Sequence, residues 1–175
     1  GIPRVFTFGS ITKAELELKI TNEKAIELQE VARLISTDSN GGGALSKALK
    51  NYTKAQEKLN ERLLKLKDNS ENPNVAKLLK EVDEKTAKHA ELLEQVAGNI
   101  TTGTITNDDT NVSKILDTAR DNIQKTFTTA GEKENNIKQK AEEQIERAGV
   151  ALEEANHAMS DVSTTRGIWR PSTGE

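Results

Sequence analysis

Between residues 132 and 162 the apolar positions are Ile137, Ala141, Ile145, Ala148, Leu152, Ala155, Met159 and Val162. From Ala141 onward they step by four, three, four and three, which puts them on one stripe of an α-helix, close to a heptad seam. Glu, Lys, Gln, Asn and Arg fill the other faces. A helix of this kind needs partner helices to bury its stripe, and the rest of the chain carries matching ones. Ala14, Leu18, Thr21, Ala25, Leu28, Ala32 and Ile35 form a first seam. It wins over the short strand that the alternating Leu16, Leu18 and Ile20 would suggest, because the helical register runs on unbroken. Leu45, Ala48, Leu49, Tyr52, Ala55, Leu59, Leu63 and Leu66 form a second seam. Val75, Leu78, Leu79, Val82, Thr86, His89, Leu92, Leu93 and Val96 form a third. Val112, Ile115, Leu116, Ala119, Ile123, Thr126 and Phe127 form a fourth, ending near Gly131.

Punctuation between the seams sets the expected boundaries. Thr12 and Glu15 have capping-box spacing and predict the start of helix one. Three glycines at 41–43 predict its loop, since consecutive glycines cost too much backbone entropy in a helix. Residues 68–74 read as a turn, with Pro73 at a first helical position. A turn this short makes helices two and three antiparallel neighbours. Residues 98–109 are Gly- and Thr-rich and read as the longest linker, with Asp108 or Asp109 capping the next helix. The expected fold is therefore all-α: one domain over residues 1–175, an antiparallel up-and-down bundle of four to five helices. Residues 12–97 would carry helices one to three and residues 110–162 helices four and five. Residues 1–10, bracketed by Pro3 and Gly9, read as an extended N-terminal arm, and residues 163–175 as a polar C-terminal tail.

Composition narrows the chemistry. Of 175 residues, 34% are hydrophobic, 30% charged and only 3% aromatic, so the core must be a thin one of Ala, Leu, Ile and Val. The net charge is −3 and no long basic run occurs, which argues against a nucleic-acid partner. No apolar run approaches the roughly 18 residues that a membrane span requires. The absence of cysteine excludes disulfides, Cys-based zinc sites and thiol catalysis. The chain opens at Gly1 with no signal-like segment, as expected of a processed or trimmed product from which an export signal could have been removed.

Candidate sites are few. Glu154 and His157 have the Glu-x-x-His spacing of half a carboxylate-bridged di-metal site, but no second such motif exists, since Thr86 precedes His89 at that spacing. His157 is thus expected to be a polar surface residue, and His89, on the third seam, a hydrogen-bonded histidine at the core edge. Two histidines give no convincing nucleophile–base triad. The Gly run lacks the Lys-Ser/Thr that a phosphate-binding loop requires. Asn-x-Ser/Thr sequons stand at Asn51, Asn99 and Asn111. Residues 170–174, Arg-Pro-Ser-Thr-Gly, depart from a sortase signal at Arg170, where Leu belongs. No catalytic, cofactor-binding or metal-ligating residue is assigned, and no cofactor is expected. Apolar residues that the seams do not need lie at both ends: Val5, Phe6 and Phe8, then Ile168 and Trp169. These either fold back to plug an end of the bundle or are the candidate contacts for assembly between copies of the chain, the expected partner then being protein.

Residues 12–97 resemble a family of helical domains of unknown function found in exported proteins of archaea and little-studied bacteria. The resemblance rests on Lys-Ala-Glu-Leu-Glu-Leu (13–18), Glu-Lys-Ala (23–25) and Glu-Leu-Gln-Glu (27–30). It continues through Tyr52, Ala-Gln-Glu-Lys-Leu (55–59), Leu-Leu-Lys-Glu-Val (78–82) and Lys-His-Ala-Glu-Leu-Leu (88–93). The family's Leu-Lys-rich segment before the first helix is replaced here by Val-Phe-Thr-Phe-Gly (5–9). The resemblance implies an extracytoplasmic location, and it carries over no functional residue. The expected function is a non-enzymatic structural or binding module at a cell surface, self-assembling into a layer or filament. The rivals are a metal-binding or carboxylate-dependent bundle and a cytoplasmic coiled-coil adaptor.

Overall fold

The computed structural model describes the backbone of residues 2–37, 42–67, 72–101 and 110–169. It is all-helical over these residues: α1 (Ile2–Thr37), α2 (Gly42–Lys65), α3 (Pro73–Thr101) and α4 (Thr110–Trp169). Side-chain environments are described for residues 9–35, 43–67, 72–100 and 112–160.

Several boundaries differ from the sequence reading: α2 begins at Gly42, inside the glycine run expected to be loop, α3 runs to Thr101, into the expected 98–109 linker, and α4 runs to Trp169, into the expected tail. Helix α1 begins at Ile2, ahead of the expected cap at Thr12. Pro3 falls in its first turn, where the missing N–H has no helical partner to lose. Helix α4 runs through Gly131 without a break, so the expected fourth and fifth helices are one. A lone glycine in a helix costs about 1 kcal/mol relative to alanine, too little to end a helix of this length. The start of α3 is as expected. Asn72 accepts a 3.0 Å hydrogen bond from the Asn74 N–H and so caps the helix that Pro73 opens.

The chain divides into two compact units, Gly1–Asn136 and Ile137–Glu175. The first is the bundle. Every expected seam residue of α1, α2, α3 and the start of α4 is buried, except Leu92, Ile115 and Phe127, which are half-buried. A continuous core joins Leu28 and Ile35 of α1, Leu49 and Tyr52 of α2, Leu93 and Val96 of α3, and Leu116 and Ile123 of α4.

Side-chain pairs fix the helix directions. Asn60 of α2 and the Leu66 carbonyl just beyond its end meet Asn122 and Lys133 of α4 in the same order, so these two helices run parallel. Arg120 of α4 bonds Glu94 of α3, while Glu134 of α4 faces Asp83, so α3 and α4 run antiparallel. Helix α1 packs against α2 and α3, and the short connection from Thr37 to Gly42 turns α2 back along it, which gives the up-down-up-down order. The Lys133 ammonium donates to the Leu66 carbonyl at 2.7 Å, satisfying a carbonyl at the end of α2 and complementing its negative dipole end.

Residues 142–160, in the second unit, are exposed throughout. Ile145, Leu152 and Met159 are 70%, 63% and 69% exposed, so the stripe expected to be a central seam is not part of the core. Helical periodicity identifies an apolar face, but not the surface that covers it. Leu28→Ala should therefore destabilise residues 1–136 by about 2–5 kcal/mol in urea unfolding. Leu152→Ala should change the same transition by less than about 0.5 kcal/mol. Equal losses would show that the 137–160 stripe belongs to the same core.

Candidate functional site

The polar groups inside the bundle are the place to look for chemistry, because each must be partnered to be buried at low cost. Apart from Thr21, Ser46, Thr53 and Thr86, they form two clusters. The first centres on His89, which is 4% exposed on α3. Its Nε2 lies 3.1 Å from Asn22 Oδ1 of α1. An amide oxygen only accepts, so the ring carries its proton on Nε2 and donates. The ring meets Tyr52 of α2 edge-to-face, with centroids 5.3 Å apart and planes at 90°. One histidine thereby ties three helices together at mid-length. Burial, reinforced by the Lys85 charge, pushes its pKa down to about 4. Burial likewise pushes the Tyr52 phenol up. Both groups are neutral near pH 7, and neither is poised to exchange a proton there.

A groove of about 460 Å³ opens above His89 between α1 and α3, lined by Asn22, Gln29, Lys85, Lys88, Glu91 and Gln95 among others. It is shallow and mixed in charge, and His89 meets it with its Nε2 already bonded to Asn22.

The second cluster lies between α2 and α4. With the Gln56 amide turned to satisfy both its ends, its nitrogen donates to the Ala119 carbonyl at 3.3 Å and its oxygen accepts from the Ile123 N–H at 3.1 Å. Asn60 Nδ2 donates to the Asn122 carbonyl at 3.3 Å. The Thr126 hydroxyl has two acceptors for its one proton, Asn60 Oδ1 at 2.6 Å and the Asn122 carbonyl at 2.9 Å. Asn122 Nδ2 is buried without a partner, at a cost of about 1–3 kcal/mol. These contacts reward one alignment of α2 on α4 and penalise a slip. Sequence reading missed Gln56, Asn60 and Asn122. The available signal was spacing: Gln56 and Asn60, like Asn122 and Thr126, are four apart beside seam positions and so share a helix face.

Nearer the surface, Asp83 of α3 faces Glu134 of α4. Burial first, then the hydrogen bond and the charge of Asp83, push the Glu134 carboxyl up to about 7. Arg120 bonds Glu94 at 3.0 and 3.3 Å, an exposed pair of the kind that contributes little to stability.

The sequence-derived candidates scatter. Glu154 and His157 are exposed on α4, beside a surface hollow of about 540 Å³ that also touches Val150, Glu153 and Asn156. Among the described residues no group of three or more His, Cys, Asp or Glu is placed to hold a metal ion. Also among these, no helix is long and apolar enough to cross a membrane. Asn51 and Asn99 are half-buried on α2 and α3, and the Asn111 side chain lies outside the described residues. The assembly candidates Val5, Phe6, Phe8, Ile168 and Trp169 lie on helical backbone, but their side chains are outside the described residues, as are residues 170–175 entirely. No protein-family model, no curated protein and no solved structure matches the chain.

Two pH responses follow. Folding keeps His89 neutral down to about pH 4, whereas the unfolded ring charges at about 6.5. The unfolded state then binds more protons, so this stability is complete above pH 6.5 and is lost as the pH falls towards 4. The loss should approach about 3 kcal/mol in urea titrations, and His89→Gln, which cannot titrate, should lack this component. An unchanged pH slope in that variant would contradict the assignment. Glu134 behaves oppositely. Its native pKa of about 7 lies above its ordinary 4.5, so its contribution is complete below pH 4.5 and is lost as the pH rises through 7. Asp83→Asn removes the opposing charge. It should raise the melting temperature above pH 7 and leave it unchanged near pH 4; equal shifts at both would contradict charge repulsion as the cause.

Proposed function

We propose that this chain is a non-enzymatic structural or binding module that works outside the cytoplasm and assembles with copies of itself into a surface layer or filament. The observation carrying this reading is where the chemistry-bearing side chains are used. His89, Tyr52, Gln56, Asn60 and Thr126 face one another or helix backbone inside the bundle, in roles that fix helix register. The apolar stripe of α4 after residue 140, in contrast, is exposed. A body built this way offers faces and ends for contact. The extracytoplasmic part of the reading draws on the resemblance of residues 12–97 to exported helical domains. End-to-end assembly draws on Val5, Phe6, Phe8, Ile168 and Trp169, apolar residues beyond the seams.

Fractionation of the source cells, followed by sizing of the native particle, tests the reading. The protein is expected in the extracytoplasmic fraction, in particles larger than one chain, and deletion of residues 1–9 is expected to shorten or abolish them. A soluble cytoplasmic monomer would overturn it. A stoichiometric transition metal in the purified protein would favour a metal-binding bundle instead.

A further inference from the structure

The α4 segment after the bundle carries a heptad pattern with an alternation of size. Ile145, Leu152 and Met159 take the a positions, and Ala141, Ala148 and Ala155 the d positions. The three large residues are more than 60% exposed. In a parallel pair, a meets a and d meets d, so layers of two large residues would alternate with layers of two alanines and leave voids between them. In an antiparallel pair, a meets d, and each large residue can lie over an alanine. One register does this throughout: Ile145 over Ala155 of the other copy, Leu152 over Ala148, and Met159 over Ala141. The two-fold axis then passes beside residue 150, and Gly149 and Ala151 flank it.

Gly149 supplies an independent reason. It stands inside a helix, where glycine costs about 1 kcal/mol relative to alanine. As at Gly98 and Gly131, nothing beyond its own helix backbone and chain neighbours lies within 4 Å of where its Cβ would be, so no packing contact in the chain requires its smallness. In this register Gly149 meets its own copy at the axis, on one side of the seam, and Ala151 meets its own copy on the other. Both are small where two helix backbones approach most closely. The flanking positions also avoid like charges: Glu142 falls opposite Asn156, and Gln144 opposite Ala158.

We propose that residues 141–159 of α4 form an antiparallel, two-fold-symmetric helix pair with a second copy of this chain, closed over Gly149. The contact is isologous, so it closes at two copies. It deepens the self-assembly reading and rests on it: the pair is the building block, and the chain ends remain free to link one pair to the next.

Sedimentation equilibrium of the full chain, over a range of concentrations, tests the proposal together with three variants. The parent is expected to sediment as pairs or multiples of pairs. Gly149→Leu should weaken pairing at least tenfold while making the isolated helix more stable, since leucine is the better helix former. Leu152→Asp should also weaken pairing, with the thermal transition of residues 1–136 unchanged. Oxidised Ala151→Cys should crosslink to its own copy, and Ala148→Cys should not. A parent that is monomeric at every concentration overturns both this proposal and the assembly reading. Undiminished association in Gly149→Leu and Leu152→Asp overturns this proposal alone and leaves assembly to other contacts. Crosslinking through Ala148→Cys in preference to Ala151→Cys, the parallel pattern, also overturns it.

Discussion

A narrow apolar stripe on a long polar helix is stable only when other helices cover it, and every feature of this protein follows from how that requirement is met. With few aromatic residues, each helix offers a seam of mostly Ala, Leu, Ile and Val, too thin to form a core against a single neighbour. Four stripes closing on one another bury Leu28, Leu49, Leu79 and Leu93 almost completely. Seams of this kind are nearly uniform along their length, so they leave the register of one helix on another weakly defined. Polar residues at mid-length supply what the aliphatic ones do not. His89 binds α3 to Asn22 and Tyr52 of its neighbours, and Gln56 and Asn60 bind α2 to the backbone of α4. A buried polar group is lost by any slip that separates it from its partner.

The seams of the bundle were legible in the sequence because burial there follows from local periodicity. The residues from Ala14 to Ile35, from Leu45 to Leu66, and from Val75 to Val96 lie where helical spacing puts them. His89 was recognisable as a core-edge histidine because it occupies a seam position. Its partners were not, since Asn22 and Tyr52 reach it from other helices and nothing in the sequence relates their registers. The polar cluster of Gln56, Asn60 and Asn122 was hidden for the same reason. Amides at the edge of a seam read as solvated until the facing helix is in place.

Two other limits have a different physical origin. Gly131 read as a helix end because glycine is a poor helix former, yet α4 continues through it, since propensity is a weak term beside the cooperativity of a long helix. The stripe from Ala141 to Met159 read as a seam because its steps alternate four and three, as those of the buried Ala14–Ile35 seam do. Regular spacing fixes the shape of an apolar face and leaves its partner open. Ile145, Leu152 and Met159 of the second unit are exposed, so this stripe is not buried as the bundle seams are.

The account stands on a division along α4: its first part is covered within the chain, and the stripe after residue 140, exposed in the single chain, is the part we propose to be covered by another copy. Amide hydrogen exchange, followed by mass spectrometry at several protein concentrations, measures this directly. Residues 14–35, 45–66, 75–96 and 112–130 should share one slow rate that dilution does not change. Residues 142–160 should exchange faster, with protection that rises with concentration. Slow exchange over 142–160 that is independent of concentration would show the stripe closed within its own chain and would contradict the account.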